Sequence, residues 1–440
     1  MPVSYAMAKY VGIGNPDSIC YLNSAIQQLF MMPSFRESIL ALPARTTLKD
    51  PHYSESYPSF VNELQCLFEA LERGRKRDIP RDHAGAVNPL HFCATMRNNA
   101  NCCDGEDSES TDMLDPSKQM DVSEFMSLFF CQLSSSLGAS HSLLHSGQSI
   151  CGDIYNELSI ANDEAVDRKV GEIVPCTEQY YFLSVKVGKS GAPPRTPSKT
   201  SSAQLITERF IGNLKEALDD FTSEQCVDAM WPCASAEGSA GRGPGQLLRS
   251  KSCSTLSASS LPPHLIIHLK RFRFDFAKMS QKKVNSRFEY PLHMDVWSNT
   301  YEARVEERKN TIWERNMREG SVDDLDYPAD PPLKGRCKYA LGGVIVHAGS
   351  ATDGHYFSLV KERVGKRQTN CSSSSNGDGN TAPDEGGSNP SHSRWFKMND
   401  EHVSEFDLND LERETFGGPV TGPISVKKQS AFILIYDKIS

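Results

Sequence analysis

The chain has 440 residues, of which 38% are hydrophobic and 23% charged, enough apolar material for a buried core, so a wholly disordered polypeptide is excluded. Forty-seven Lys and Arg against 56 Asp and Glu leave a formal charge of −9, the wrong sign for a nucleic-acid binder and the right one for a partner that is basic where the surfaces meet. No apolar run nears the roughly 20 residues that span a bilayer, and MPVSYAMAKYVGIG lacks the basic start and long apolar stretch of a secretory signal. With no such signal, thirteen irregularly spaced cysteines predict reduced thiols in the cytoplasm or nucleus, not a disulfide framework.

In chain order, the first periodic segment follows Cys20: Leu22, Ile26 and Leu29 recur at helical spacing, and Pro33 closes the run. Phe60, Leu64, Leu67 and Leu71 form a second stripe, opened by Pro58-Ser59 and closed by Gly74. A third helix is predicted near Asp121, with Val122, Phe125, Met126, Phe129 and Leu133 on one face. Four stretches are poor in apolar residues and predict surface insertions or disordered loops: Arg97 to Ser117, Gly188 to Gln204, Ala234 to Ser260 and Val364 to Ser393. From Leu261 onward the pattern changes. HLIIHLKRF, RFEYPLHMDV, LGGVIVHAG, HYFSLVKE, RWFKMND and SAFILIYDK are short, rich in β-branched and aromatic residues, and bounded by Gly, Pro or Asn. The prediction is an α+β chain, helices first and an antiparallel sheet after, in one large domain once the insertions are set aside.

Among the cysteines, Cys20 stands apart because it opens the first amphipathic helix, just after the turn Gly14-Asn15-Pro16-Asp17-Ser18. A thiol there feels the positive end of the helix dipole and unpaired N–H groups, which favour thiolate and can receive an oxyanion. By position alone it could equally be a small buried hydrophobe. A thiolate nucleophile needs a proton-accepting His held by a third polar group. His355 sits in Gly354-His355-Tyr356, where a turn leads into a strand, and His347 ends the strand LGGVIV eight residues earlier; spacing does not choose between them. Downstream, Asn399 and Asp400 end the strand of Trp395 and could orient an imidazole, or serve only as turn residues.

The segment from Gly12 to Ser24, GIGNPDSICYLNS, resembles the Cys box of the ubiquitin-specific proteases, and Tyr339 to Tyr356, YALGGVIVHAGSATDGHY, resembles their His box. Between them, Gln119-Met120-Asp121-Val122-Ser123-Glu124-Phe125 is similar to the family's Gln-x-Asp-x-x-Glu-Phe element, and Leu261 to Phe272 to its Leu-Pro…Leu-Lys-Arg-Phe strand. Trp395 to Asp400 and Ala431 to Asp437 complete the set in the family's order. The Phe416-Gly417-Gly418 segment is similar to the large fat-facets-like members. The resemblance implies a papain-like cysteine protease fold, single over 1–440: a helical thumb over 1–135, a degenerate fingers region with disordered insertions over 136–260, and an antiparallel β palm over 261–440. It implies hydrolysis of the isopeptide bond after ubiquitin's C-terminal glycine by a monomeric catalytic domain, with no cofactor, no nucleic acid and no membrane. Cys20 would be the nucleophile, His355 the general base, Asn399 its orienting partner with Asp400 assisting, and Asn15 the oxyanion-hole side chain. Gln119, Asp121 and Glu124 would meet the substrate's arginine-bearing tail. Asp121 and Glu124 lie three apart on one helix face, although Asp121 could also be an N-cap and Glu124 a dipole partner. Gly354 and Tyr356 would line the channel for the tail glycines, with His347 on its wall.

Two residues depart from the family near the nucleophile: Asp17 stands where Gly is usual, and Ile19 replaces a Thr. Asp17 adds negative charge where a thiolate would form. Many members hold zinc with two Cys-x-x-Cys pairs. Here Ile160 and Asp163 fall at the first pair, and Cys226 with Cys233 is all that remains of the second, so no zinc site is expected and the fingers must hold by pairing and packing. Two alternatives to the protease stay open: a catalytically silent ubiquitin-binding module, and a protease for a ubiquitin-like modifier. The start, a few residues before the Cys box, also suits a fragment of a longer protein.

Overall fold

Three helices form where apolar spacing predicts them. In the computed structural model, which describes residues 10–42, 60–76, 86–98, 117–137, 151–160, 176–190, 209–231, 246–319, 334–363, 394–419 and 428–439, these are α1 (Cys20–Phe30), α3 (Phe60–Lys76) and α5 (Val122–Leu137). Between them lie α2 (Pro33–Leu40) and α4 (Leu90–Asn98). Pro33 does end the first run, but it also opens the next helix, since a residue without an N–H fits the first helical position. Gly74 does not stop α3, which runs on to Lys76; it is small because a Cβ there would lie 2.3 Å from Val11 Cγ2.

Strands β1 (Gly152–Ile160), β2 (Cys176–Tyr180), β3 (Leu183–Lys186), β4 (Gly188–Ser190) and β5 (Arg209–Ile211) precede helix α6 (Leu214–Phe221). β6 (Gln225–Trp231), β7 (Gln246–Leu256), β8 (His264–Lys270), β9 (Phe272–Asp275), β10 (Ser280–Lys283) and β11 (His293–Asp295) follow, then α7 (Tyr301–Glu319). The chain finishes with β12 (Lys338–Gly349), β13 (Gly354–Lys361), β14 (Trp395–Asn399), β15 (His402–Phe406), α8 (Leu411–Thr415) and β16 (Gln429–Ile439). The helices do lead the chain, but strands begin at Gly152, well before Leu261, and a 19-residue helix sits inside the strand-rich part.

The chain divides into two compact units. The first comprises Met1–Ser136, Gly342–Ile345 and His355–Leu411. Its core is aromatic: the Phe129 ring lies within 6.5 Å of the rings of Phe35, Phe60, Phe92, Phe125 and Phe130, in tilted and edge-on arrangements. Its strands β13, β14 and β15 pair antiparallel, with Ser358 opposite Met398 and Asn399 opposite His402. That last register leaves Asp400 and Glu401 as a two-residue hairpin loop.

The second unit comprises Leu137–Leu341, Val346–Gly354 and Glu412–Ser440. In one sheet the order is β2-β1-β7-β6, all antiparallel. Here β7 overturns the loop expected over Ala234 to Ser260: its alternation of Ser, Lys and Thr reads as polar sequence, yet Cys253 and Leu256 are buried. Elsewhere β16 pairs antiparallel with β8, and β8 pairs parallel with β3. The RFEYPLHMDV segment forms only the three-residue β11; Phe288 and Tyr290 are buried outside any strand. Arg271 is fully buried and donates to the carbonyls of Ala431, Val284 and Ser286, tying this irregular stretch down. Of the predicted insertions, residues 99–116, 191–204, 234–245 and 364–393 lie outside the described residues, while Gly188–Ser190 is strand β4.

Candidate active site

Cys20 is the first residue of α1 and is 4% exposed. The approach to it is held by backbone pairing: Gly14 N–H donates to Val87 O at 2.8 Å, and Val87 N–H to Gly12 O at 3.0 Å. Ile19, the N-cap, supplies no capping side chain; its N–H instead donates to Asn15 Oδ1 at 3.1 Å. The first N–H groups of a helix have no partner within it, so the dipole's positive end lies at the sulfur. Tyr356 N–H donates to Cys20 Sγ at 3.5 Å, a contact that no spacing rule announces.

His355, near the start of β13, partners the sulfur. Its pKa is pushed up to about 9, first by the hydrogen bond with Cys20, against the opposing effect of burial, then by Asn399 and the charge of Asp400. Nε2 donates to Asn399 Oδ1 at 2.5 Å. An amide oxygen only accepts, so Nε2 carries the proton and Nδ1 is left for the sulfur. Asp400 Oδ2 lies 3.8 Å from the same Nε2. The choice between the two histidines is thus made by contact: His355 meets Cys20.

Asp400 is the first residue of the β14–β15 hairpin loop and takes φ 50°, the left-handed region that Asp tolerates better than most. Its Oδ2 accepts from Asn15 Nδ2 at 2.9 Å and its Oδ1 from Asn23 Nδ2 at 2.8 Å. Glu401 Oε1 accepts the Asn15 N–H at 2.8 Å, which holds that carboxyl below its usual range. Gly12 permits the approach of this loop; a Cβ there would lie 2.4 Å from Asp400 O. The structure therefore brings Cys20, His355, Asn399, Asp400 and Asn15 together in one unit. A sulfur beside an imidazole, with an amide and helix N–H groups near it, can carry out acyl transfer through a thioester.

Asp121 caps α5: its Oδ1 accepts from the Ser123 N–H at 2.7 Å and from the Ser123 hydroxyl at 2.9 Å. Burial pushes its carboxyl upward, opposed by those Ser123 bonds. Glu124 and Gln119 are exposed. The Tyr356 ring is buried, with its hydroxyl beside the Val122 backbone. In the second unit, His347 is buried and Gly354 lies against it, where a Cβ would come 2.2 Å from His347 Nε2.

Sequence reasoning assigns no role to Asn23, Glu401 or Lys283. Asn23 lies within the Cys box; nothing in the sequence marks Glu401 or Lys283, whose contacts come from distant segments. Lys283, 7% exposed, donates from Nζ to the carbonyls of His347 at 2.7 Å and Lys428 at 2.7 Å, and reaches Gly349 O at 3.4 Å.

The zinc that many ubiquitin-specific proteases carry does not fit the described residues, among which there is no group of three or more His, Cys, Asp or Glu able to hold a metal ion. Asp163 and Cys233 lie outside those residues. Cys253 on β7 is engaged otherwise: its Sγ donates to Thr222 O at 3.2 Å and accepts from Arg304 Nη1, and burial pushes its thiol up. One turn on, Arg308 of α7 grips Glu157 of β1 with two bonds, at 2.7 and 3.2 Å. Eight of the described cysteines form no disulfide, and no described helix is long and apolar enough to cross a membrane.

Comparison with known proteins agrees with this chemistry. The chain is 25% identical over 98% of its length to ubiquitin carboxyl-terminal hydrolase puf of Drosophila melanogaster, 22% over 94% to human ubiquitin carboxyl-terminal hydrolase 34, and 25% over 99% to mouse ubiquitin carboxyl-terminal hydrolase 24. It spans only 9, 9 and 14% of the length of those relatives. The pattern of the family described as ubiquitin carboxyl-terminal hydrolase matches residues 11–436, a range that holds the sulfur, the imidazole and every side chain hydrogen-bonded around them, so the chain belongs to that family, with its papain-like α+β fold.

Proposed function

We propose that this chain is a thiol-dependent deubiquitinase that hydrolyses the isopeptide bond between ubiquitin's terminal glycine and a lysine amine. The observation that carries the reading is the line of contacts from Cys20 through His355 to Asn399. In the reaction, His355 takes the Cys20 proton and the sulfur attacks the glycine carbonyl carbon. The carbonyl oxygen, now negative, accepts from Asn15 Nδ2, of which one N–H is used by Asp400 and the second is available, and from the first N–H groups of α1. Such a side-chain donor lowers the barrier by roughly 3–4 kcal/mol. Protonated His355 then gives its proton to the departing amine, and water, activated by the same imidazole, releases the thioester. No step calls on a metal or cofactor.

On the substrate side, Asp121, Glu124 and Gln119 would receive the arginines of the ubiquitin tail, and Gly354, Tyr356 and His347 its glycines. Asp121 can do this and cap α5 together, because Ser123 occupies only Oδ1. Cysteines outside any disulfide suit an intracellular, reducing site of action. The test is incubation with ubiquitin bearing a C-terminal thiol-reactive group: wild type should form a covalent adduct and Cys20→Ala none. Binding without adduct in the wild type would mean a silent ubiquitin-binding module, and adduct only with another modifier's probe would move the substrate class.

A further inference from the structure

Asn23 lies on α1 just beyond the nucleophile and is 2% exposed. Its amide nitrogen donates to Asp400 Oδ1 at 2.8 Å and reaches the carbonyls of Gly14 at 3.2 Å and Ile13 at 3.4 Å. The other carboxylate oxygen, Oδ2, accepts from Asn15 Nδ2 at 2.9 Å. The three side chains form one line, Asn23 to Asp400 to Asn15, that begins on the nucleophile's helix and ends at the amide beside it. Two costs are accepted to keep this line. Asp400 holds a positive φ of 50°, which a glycine would adopt without strain, and the buried Oδ1 of Asn23 has no hydrogen-bond partner. A residue needed only for packing would shed both costs; a carboxylate that must point in one direction would not.

The direction matters because Asp400 Oδ2 has two suitors. It lies 2.9 Å from Asn15 Nδ2 and 3.8 Å from His355 Nε2. An unrestrained carboxylate would close on the imidazolium, since charge-assisted contacts are the stronger. That swing would release the Asn15 amide. Asn23 grips Oδ1 and so fixes the plane of the carboxylate, leaving Oδ2 on the amide.

We propose that Asn23 is a positioning residue for the oxyanion donor: by fixing Asp400, it holds the Asn15 amide with its second N–H aimed at the tetrahedral intermediate. This rests on the hydrolase reading above. The experiment measures kcat and KM on a ubiquitin C-terminal fluorogenic amide for wild type, Asn23→Ala, Asp400→Gly and the double variant, Gly being chosen because it removes the carboxylate and adopts the positive φ at position 400 without strain. Asn23→Ala should lower kcat about 10-fold, less than the roughly 100- to 1,000-fold of removing an oxyanion donor outright, with KM unchanged. In the Asp400→Gly background, Asn23→Ala should cost less than about 2-fold, because the carboxylate it acts through is gone. A merely structural amide would cost the same in both backgrounds. Should Asn23→Ala fail to fold, Asn23→Ser, whose hydroxyl is too short to reach Asp400, carries the same comparison. Turnover at the wild-type rate in Asn23→Ala, or equal losses in the two backgrounds, overturns the assignment of Asn23 while leaving the hydrolase standing; a wild type that turns over nothing overturns both.

Discussion

Replacing Asn399 by Ala removes one acceptor, Oδ1, from a 2.5 Å hydrogen bond to His355 Nε2. A hydrogen bond to a charged partner contributes about 1.5–3 kcal/mol, which would be roughly a 10- to 150-fold loss in kcat if nothing took its place. Something partly can. Asp400 Oδ2 is 3.8 Å from the same nitrogen and could move onto it, but only by leaving Asn15. The lower half of the range is therefore expected, about 10- to 40-fold, with KM unchanged because Asn399 acts through the imidazole. The pH profile adds a second readout. His355 is raised to about 9, with Asn399 among the causes after Cys20. Below that value the imidazolium can protonate the departing amine; above it the donor is lost, so wild-type kcat/KM, which follows the free enzyme's titration, should fall as pH rises through about 9. The same raised value means that its contribution to folding is fully present below the unfolded pKa near 6.5 and fades as pH passes about 9. Asn399→Ala should move the alkaline limb of kcat/KM downward. Steady-state rates on a ubiquitin fluorogenic amide between pH 6 and 10 measure both effects. A variant with wild-type kcat and an unmoved limb would refute the orienting role.

The acidic pair is tested without harming the helix by combining Asp121→Asn, which still caps α5, with Glu124→Gln. KM should rise and its dependence on salt should flatten, because two charges leave the tail's docking surface and the cap remains. His268, buried in β8 with Nδ1 against Ser184 Oγ, has its pKa lowered to about 3 by burial. The native ring is neutral, so the unfolded chain takes up a proton below about 6.5 and stability is lost as pH falls from there toward 3; urea midpoints at pH 7 and pH 5 should differ less in His268→Gln. Phe129→Ala empties the centre of the aromatic core and should cost about 3–5 kcal/mol in urea unfolding. A double-mutant cycle on Arg308 and Glu157 should return a coupling of about 1 kcal/mol, since Glu157 is nearly buried but half the Arg308 side chain is exposed.

What can be read from the sequence is what a local period encodes. Helices α1, α3 and α5 announce themselves because Leu22, Ile26 and Leu29, or Phe125, Phe129 and Leu133, sit one turn apart, and the buried strands β8, β12, β13 and β16 because they are unbroken apolar runs. β7 escapes such a reading because a strand with one open face alternates, and SKSCST hides its inward Cys253 and Thr255 among small polar residues. α7 escapes it because a helix as charged as YEARVEERKNTI shows no wide apolar stripe; two of its arginines, Arg304 and Arg308, make polar contacts with the β1–β7 sheet. The site divides in the same way. Motifs name the members of the line from Cys20 to Asn399, but the sequence leaves two histidines in competition until coordinates put one at the sulfur. Asn23 has no assignment from sequence at all, because its function consists of a contact 377 positions away.

The two residues that break the family's pattern beside the nucleophile bear on the strength of that site, and their surroundings set their effect. Ile19 replaces a side chain that could have capped α1, yet the helix start is not left without support. The Ile19 N–H is taken by Asn15 Oδ1, and the Ile19 side chain is 1% exposed in the core. That N–H contact is made by the backbone and does not depend on the side chain at position 19, and it ties the placement of Asn15 to the start of α1 as well as to Asp400. Asp17 is exposed. Its charge reaches the sulfur through water and is screened within about 10 Å at 0.1 M salt, so its opposition to the thiolate should weaken as salt rises. Asp17→Gly should thus raise the rate of Cys20 labelling by the ubiquitin probe by about 2- to 3-fold at low ionic strength and leave it unchanged near 0.5 M salt. If labelling rises equally at both salt concentrations, the charge is not the reason: a glycine then acts by easing the turn that leads to the nucleophile, and the departure is one of backbone shape.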